Sequence, residues 1–308
     1  MDQQRNRSVQ MNNSREKETR ISVWDVVSKI CFWLFWTIMI VYVVSLLILP
    51  IFMILTSFKA DNMECVFNPF GLPKQLKFEN YTKIFEVLQE KLKFSVGGMF
   101  AVSLSTAIFK PLLGVFFTTL FAYVEAKYNF VGRKFFFNLG IVLMIIPIVG
   151  NMASSMQVQK ALGVYNNLFL NIITSCGGCF YGTNFLLMYA AFKALPWDYA
   201  ESVFIDGGGH YTVLFKIYLP MVMPSAVVLF VLGFMGAWND YATFMIWLPD
   251  YPNIAYGMYL FNLRANQLRV SLPQIMAGFT TVMIPTVLLY VGTQGIIRSK
   301  FMVGGLKG

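Results

Sequence analysis

Long apolar runs recur along most of this 308-residue chain, and they limit what it can fold into. A helix needs about 20 apolar residues to cross the hydrocarbon core of a bilayer. Since lipid offers backbone polar groups no partner, an apolar run of that length is expected to be helical. The pattern predicts an all-α membrane protein with six transmembrane helices, over approximately 31–53, 100–124, 136–156, 168–192, 222–248 and 275–296.

Composition agrees with a membrane protein and argues against a soluble one. The chain is 57% hydrophobic and only 13% charged, whereas soluble domains carry about 25% charged residues. The net charge of +9 does not indicate nucleic acid, because the basic residues form no dense stripe beside exposed aromatic residues. They fall mostly between the apolar runs, where anionic headgroups attract them. We therefore expect a lipid bilayer as partner and no nucleic acid.

Basic residues also predict the orientation of the chain in the membrane. Six spans place both termini on one side, and the short segment 125–134 carries three basic residues, Lys127, Arg133 and Lys134. Short loops rich in Lys and Arg stay in the cytoplasm, so both termini are predicted to be cytoplasmic. We divide the chain into a polar cytoplasmic N-terminal tail, 1–26, and a membrane domain, 27–308. No small-residue cleavage site follows the first run, so it reads as an uncleaved helix.

The polar segment 195–220, between the fourth and fifth runs, is too long for a tight turn. Pro196 suits the first turn of a helix, and Asp198 and Glu201 would then lie near the positive end of the helix dipole. Three glycines, 207–209, end that helix, and a second short helical run leads into the fifth span. This predicts a cytoplasmic knob with acidic and aromatic side chains, suited to docking in a groove of a partner.

The same segment resembles the signature loop of permeases of binding-protein-dependent ATP-binding cassette (ABC) importers. That signature reads E-A-A, three residues, G, nine residues, I-x-L-P. Every spacing is matched here, by Glu201, Ser202, Val203, Gly207, Ile217, Leu219 and Pro220. Ser202 and Val203 replace alanines that pack inward in the family helix.

Further residues resemble the maltose-type, carbohydrate-uptake branch of these permeases. They are Ile205-Asp206-Gly207, Pro220 with Pro224, Trp238-Asn239-Asp240, Asn80-Tyr81 and the ending Gly304 to Gly308. The resemblance covers about 28–308 and implies uptake of a sugar or oligosaccharide. An importer of another polar solute, such as an amino acid or phosphate, is an alternative. An ion-coupled secondary transporter is a further one, but it predicts internal repeats and several ionisable groups inside the membrane, which the sequence lacks.

The resemblance also implies partners. A cytoplasmic ATPase dimer would hold the knob in a cleft, and a second homologous permease and an extracellular or periplasmic solute-binding protein would complete an importer in a bacterial plasma membrane. ATP and Mg²⁺ would be bound by the ATPase, because this sequence has no GxxxxGK[ST] phosphate loop. We expect no enzyme activity, cofactor or metal on this chain. The coupling residues would be Glu201, Ser202, Asp206, Gly207, Ile217, Leu219 and Pro220, with Gly305, Lys307 and Gly308 in a tail that reaches the ATPase.

The substrate pathway has four candidate residues. Lys110 lies midway along the second run, where a lysine costs about 2.5–3.5 kcal/mol, so it should face a polar pathway or a partner. Asp240 in the fifth run could pair with it. Trp238, Asn239 and Asp240 offer an aromatic face, an amide and a carboxylate to a sugar, or they could be polar groups that pack between helices.

Other motifs favour unremarkable interpretations. Cys176 and Cys179 form a CxxC pattern inside an apolar run, where close helix packing is a better explanation than redox chemistry. Tyr256, Tyr259 and Asn262 could contact a binding protein or lie at the membrane interface. His210, the only histidine, is expected to be solvated on the cytoplasmic loop.

Overall fold

The structure, a computed structural model, describes residues 23–91, 95–146 and 150–301. Within these ranges every regular element is helical, which confirms the all-α prediction there. Most of the predicted N-terminal tail lies outside the described residues, and so do Gly305, Lys307 and Gly308.

The helices follow one another with short connections. In chain order they are α1 (Val23–Ser57), α2 (Asn62–Phe67), α3 (Glu79–Lys91), α4 (Val96–Lys127), α5 (Arg133–Ile145), α6 (Met152–Ala161), α7 (Leu168–Ile173), α8 (Thr183–Lys193), α9 (Asp198–Ile205), α10 (His210–Asn239), α11 (Ala242–Ile246), α12 (Ile254–Leu263), α13 (Ala265–Leu268) and α14 (Leu272–Phe301). A 3₁₀ turn, Thr174–Gly178, extends α7.

Four of these helices, α1, α4, α10 and α14, are long and apolar enough to cross a membrane. They correspond to the first, second, fifth and sixth predicted spans. The third and fourth predicted spans are each interrupted. The third is divided between α5 and α6, and Gly150 between them has a positive φ of 75°. The fourth is divided between α7 and α8, and Gly182 there has a φ of 92°. A residue with a positive φ does not continue an α-helix, and apolar composition alone does not reveal such a position.

Hydrogen bonds between distant segments define two ends of the molecule. At the end that carries α9, the Lys127 ammonium donates to the carbonyl of Leu195. At the opposite end, which we call the distal end, the Ile254 amide donates to the Ser103 hydroxyl at 2.8 Å. The long helices α4 and α10 therefore run antiparallel between these two ends.

The interrupted pairs also connect the two ends. Arg133, at the start of α5, lies 3.9 Å from Glu125 at the α9 end. Asn166 lies between α6 and α7. Its backbone N–H donates to the carbonyl of Trp247 at 2.8 Å, and its side-chain amide donates to the Asp250 carboxylate. Trp247 and Asp250 both lie beyond the distal end of α10. Thus α5 with α6 leads away from the α9 end, and α7 with α8 returns to it.

Close packing of α10 on α4 forms the centre of the fold. A Cβ added to Gly233 would lie 2.6 Å from the Cβ of Pro111, so only glycine allows this approach. A buried cluster around Phe192 and Tyr218 stabilises the α9 end. A second cluster, around Met99 and Trp238, stabilises the distal end.

The first helix behaves differently from the others. Its apolar side chains are exposed along nearly the whole length, with Trp33 69% and Leu49 72% exposed. A helix this apolar on every side requires lipid or another subunit around it.

Candidate functional site

Helix α9 is held to the domain by one small buried face. Ala200 is fully buried, and Val203 and Phe204 are half-buried. The helix begins at Asp198 with Trp197 at the N-cap, so Pro196 precedes it and does not occupy its first turn as predicted. Asp198 and Glu201 do lie in the first turn, where the helix dipole favours carboxylates.

The segment that leads into α9 is anchored to both neighbouring long helices. The buried Tyr218 hydroxyl, near the start of α10, donates to the carbonyl of Pro196 at 3.0 Å. Lys127, at the end of α4, bonds to the carbonyl of Leu195 and lies 4.8 Å from the centre of the Tyr218 ring. The segment that precedes α9 is therefore bonded to both α4 and α10. The sequence interpretation used Lys127 only for orientation and passed over Tyr218, although Tyr218 lies within the signature.

The three glycines after α9 have different roles. The Gly207 amide donates to Phe204 and the Gly208 amide to Val203, which is the Schellman pattern of a helix end. Gly207 has a φ of 77°, and a Cβ on Gly208 would lie 2.6 Å from Cγ1 of Val203. Around Gly209 nothing lies within 4 Å of an added Cβ. Two of the three positions thus require glycine.

His210 is exposed, as expected, but it is also engaged. Its Nδ1 lies 2.9 Å from the Tyr128 hydroxyl, and its ring centre is 5.0 Å from that of Phe204. The Tyr128 hydroxyl also bonds to that of Tyr123 in α4 at 2.8 Å. This chain of contacts joins the α4–α5 turn to α9.

The end of the signature forms the start of α10. Val213–Tyr218 is wound as a π-helix, and the Leu219 amide bonds to the carbonyl of Leu214, five residues earlier. Pro220 has no N–H to continue an α-helical ladder, which accounts for the wider turns just before it. Ile217 and Leu219 are half-buried, so they pack within the domain, whereas Pro220 is exposed.

The outer face of α9 and its turn forms what we call the α9 docking face. It combines carboxylates with exposed apolar and aromatic groups, and its members are Tyr199, Glu201, Ser202, Ile205, Asp206 and Tyr211. Ile205 is 85% and Tyr211 81% exposed. Within the described part of the chain, neither carboxylate has a basic side chain within 4.0 Å. Ser202 was expected to pack inward; it is exposed, and its hydroxyl donates to the carbonyl of Tyr199 at 3.1 Å.

A polar cavity of about 430 Å³, which we call the Lys110 cavity, lies between α4, the 3₁₀ turn and α10. Its lining includes Lys110, Thr118, Ser175, Cys179, Tyr181 and Asn184. The predicted Lys110–Asp240 pair is not formed as an ion pair, since no contact within 4.0 Å joins the two among the described salt bridges. The Asp240 carboxylate instead accepts the Thr243 amide at 2.9 Å, because it caps the turn that ends α10.

The other pathway candidates have separate positions. Trp238 is fully buried, donates its indole N–H to the carbonyl of Val282 at 2.9 Å and stacks on Phe234. It packs α10 against α14 and presents no surface to a solute in this conformation. Asn239 is exposed, with its amide bonded to the carbonyl of Met235. Tyr259 stacks on Tyr241 at 4.5 Å.

Cys176 and Cys179 are free thiols. Cys176 lies in the 3₁₀ extension of α7, and Cys179 follows directly after it and lines the cavity. In the described ranges, no group of three or more His, Cys, Asp or Glu residues could hold a metal ion.

Comparison with known proteins agrees with this geometry. The family model described as "Binding-protein-dependent transport system inner membrane component" matches residues 112–303. The inner membrane ABC transporter permease protein YcjP of Escherichia coli K12 is 27% identical over 263 residues, 83% of this chain and 89% of its own. The galactooligosaccharides transport system permease protein GanQ of Bacillus subtilis 168 is 27% identical over 239 residues, 77% of this chain and 82% of its own.

A solved structure shares the fold. It is the crystal structure of a bacterial ABC transporter involved in the import of the acidic polysaccharide alginate. One of its chains aligns with a TM-score of 0.66 and 21% identity, covering 89% of this chain and 98% of that one. The family match includes the α9 docking face, its anchors and the cavity lining from Gly114 onward, and the chain belongs to the binding-protein-dependent transport system inner membrane component family.

Proposed function

We propose that this chain is the permease subunit of an ABC importer that takes up a sugar or oligosaccharide. YcjP is named an ABC transporter permease and GanQ a galactooligosaccharide permease, and the structural relative imports a polysaccharide. The polar lining of the Lys110 cavity suits a hydroxyl-rich solute, since hydroxyl, amide and ammonium groups can bond to sugar oxygens. Because the family is binding-protein-dependent, we expect an extracellular or periplasmic solute-binding protein as a partner.

The α9 docking face carries this proposal. Glu201 and Asp206 beside Ile205 match a groove with an apolar floor and basic rim, here on a cytoplasmic ATPase dimer that binds ATP and Mg²⁺. ATP-driven closure of the dimer would displace α9, and the bonds of Leu195 and Pro196 to α4 and α10 would turn that displacement into an opening of the pathway. Hydrolysis would reset it.

We further propose six spans, in which the pairs α5–α6 and α7–α8 each cross the membrane. The contacts of Asn166 at the distal end and of Arg133 at the α9 end support this. Both termini and the α9 end would face the cytoplasm. The tail residues Gly305, Lys307 and Gly308 would touch the ATPase.

A second, homologous permease would complete the pathway. Lys110, Asn239 and Asp240 would contribute polar groups from this chain, and Trp238 would hold α10 against α14 behind them. The exposed apolar length of α1 supports the presence of a second subunit or lipid around it.

Charge reversal tests the coupling role. We expect Glu201→Lys and Asp206→Lys each to abolish uptake and to weaken co-purification of the ATPase, while the protein still reaches the membrane. Glu90→Lys, an exposed reversal on α3 at the distal end, should leave both unchanged. Normal uptake by both α9 variants would overturn the coupling role.

A further inference from the structure

Two adjoining cavities lie at the α9 end, beside the turn that joins α4 to α5. One, which we call the Arg133 cavity, has a volume of about 570 Å³ and opens to the surface. The other is an apolar cleft of about 370 Å³. Glu125, Phe130 and Phe137 line both, so the two spaces adjoin across these three side chains. Neither the α9 docking face nor the Lys110 cavity shares their lining.

The Arg133 cavity is suited to an anion. Arg133 and Lys134 line it, and the buried carboxylate of Glu125 is its one acid. Arg133 donates to the Asn129 amide oxygen at 2.6 Å and lies 3.9 Å from Glu125, which leaves some of its five N–H groups unused. Lys134 is exposed and has no carboxylate within 4.0 Å among the described ion pairs. The ionisable lining thus has a net positive charge.

Helix α5 adds to this positive potential. Its N-cap, Gly132, has no side chain to bond the first amides, and no acidic residue lies in the first turn. The Arg133 amide bonds to the carbonyl of Phe130, but the helix dipole still favours an anion at this position. This effect reinforces the two basic side chains, which the cavity brings together independently.

The apolar cleft extends from the same place along α5. Its remaining lining includes Phe121, Phe136, Leu139, Phe180 and Phe185. A Cβ on Gly140 would lie 2.9 Å from the carbonyl oxygen of Phe180, so α5 approaches the segment after α7 closely there and closes the cleft. A free phosphate ion would make no favourable contact with such a cleft, but a hydrocarbon chain would bury apolar surface in it.

We propose that these two cavities form one binding site for an anionic phospholipid. The phosphodiester would lie between Arg133 and Lys134 at the start of α5, and one acyl chain would occupy the phenylalanine-lined cleft. The site lies at the same end as Lys127, the level at which a cytoplasmic headgroup would be found. Its occupant would contact the α4–α5 turn, which Tyr128 joins to His210. This proposal does not depend on the identity of the solute.

The test uses the assembled complex in nanodiscs that contain either phosphatidylglycerol or phosphatidylcholine, with retained lipid counted by native mass spectrometry. Phosphatidylglycerol should be retained preferentially. Arg133→Gln and Lys134→Gln should each weaken retention about fivefold, the effect of one interfacial basic residue. Lys216→Gln, which removes an exposed charge at the same end but outside both cavities, should not weaken it. Val124→Trp, at the edge of the cleft, should reduce retention without any change of charge.

Three outcomes would overturn the proposal. Equal retention of phosphatidylcholine would show that the site does not select for the net negative charge of the lipid headgroup. Retention of glycerophosphate as strong as that of the full lipid would show that the cleft is not used. Disulfide crosslinking of an Asn138→Cys variant to a cysteine of the partner permease would show that a protein surface covers the site. Loss of uptake in Glu201→Lys has no bearing on these readouts, so the two proposals can fail separately.

Discussion

At the scale of single residues, backbone geometry decides which signature positions can vary. Gly207 has a φ of 77°, which residues with a side chain rarely adopt. At Gly208 an added Cβ would clash with Val203. Glu201 and Asp206 have no such constraint, because they are exposed and bond to no basic group in the described chain. We therefore separate glycines that shape α9 from carboxylates that are available to a partner.

This separation makes a prediction about the glycine turn. Gly207→Ala should cost about 1–2 kcal/mol, the penalty of a left-handed residue with a Cβ, and should increase proteolysis after α9 and reduce uptake. Gly209→Ala is the matched control, since Gly209 has a φ of −100° and open space around it. Equal protease sensitivity of the two variants would contradict the assignment.

Sequence reasoning at this scale succeeded where a motif fixed the spacing and failed where tertiary contacts decide. The spacing predicted a short helix here, and in the structure Glu201 lies in the first turn of α9 and Asp206 at its C-cap. The spacing could not reveal that Tyr218 reaches back to Pro196, or that Asp240 caps a turn instead of pairing with Lys110. Those outcomes depend on how α10 packs, which no local pattern encodes.

At the scale of elements, apolar run length predicted the four long helices but not the interruptions. Runs three and four are apolar like the others, and glycines with a positive φ, Gly150 and Gly182, lie where these runs are interrupted. In the segment 58–80, which we call the distal loop, polar residues and not apolar run length determine the structure. Asn80 is buried and donates to the carbonyls of Ser57 and Lys59, both at 2.9 Å, which ties α3 to the end of α1.

Glu64 should make this distal loop sensitive to pH. Its carboxylate accepts the Ala60 amide at 2.8 Å and the Lys74 amide at 2.6 Å. These bonds, the Ala60 amide foremost, hold the pKa of Glu64 below its ordinary value. A lowered folded pKa means that the stabilisation is complete above the unfolded pKa and is lost as the pH falls through the folded one.

Hydrogen exchange at Ala60 and Lys74, corrected for intrinsic rates, measures this effect. Protection should be constant near neutral pH and fall below about pH 4, the usual range of glutamate. Glu64→Gln should show weaker protection with no such fall, and Glu90→Gln should behave like the wild type. A pH profile of the wild type as flat as that of Glu64→Gln would exclude this role of the carboxylate.

At the scale of the whole molecule, hydrogen bonds at both ends give the chain an alternating course. The α9 end contains the α4–α5 turn and the docking face, whereas α2, α3, α12 and the start of α14 lie at the distal end. The positive-inside bias supports our proposal that the α9 end faces the cytoplasm. If α5–α6 and α7–α8 both cross, the connection around Leu162 must then lie outside.

Cysteine labelling tests that course. In a chain whose four native cysteines are replaced, single cysteines are placed at exposed positions: Phe67 and Leu162 at the distal end, Val131 and Tyr211 at the α9 end. A membrane-impermeant maleimide should label the first two in intact cells. The other two should react only after permeabilisation, and Val131 remains the reference if an ATPase covers Tyr211. Leu162 is decisive, because a pair α5–α6 that turned back within the membrane would leave it accessible only from the cytoplasm. Labelling of Leu162→Cys solely after permeabilisation would therefore reduce the six spans to the four continuous ones.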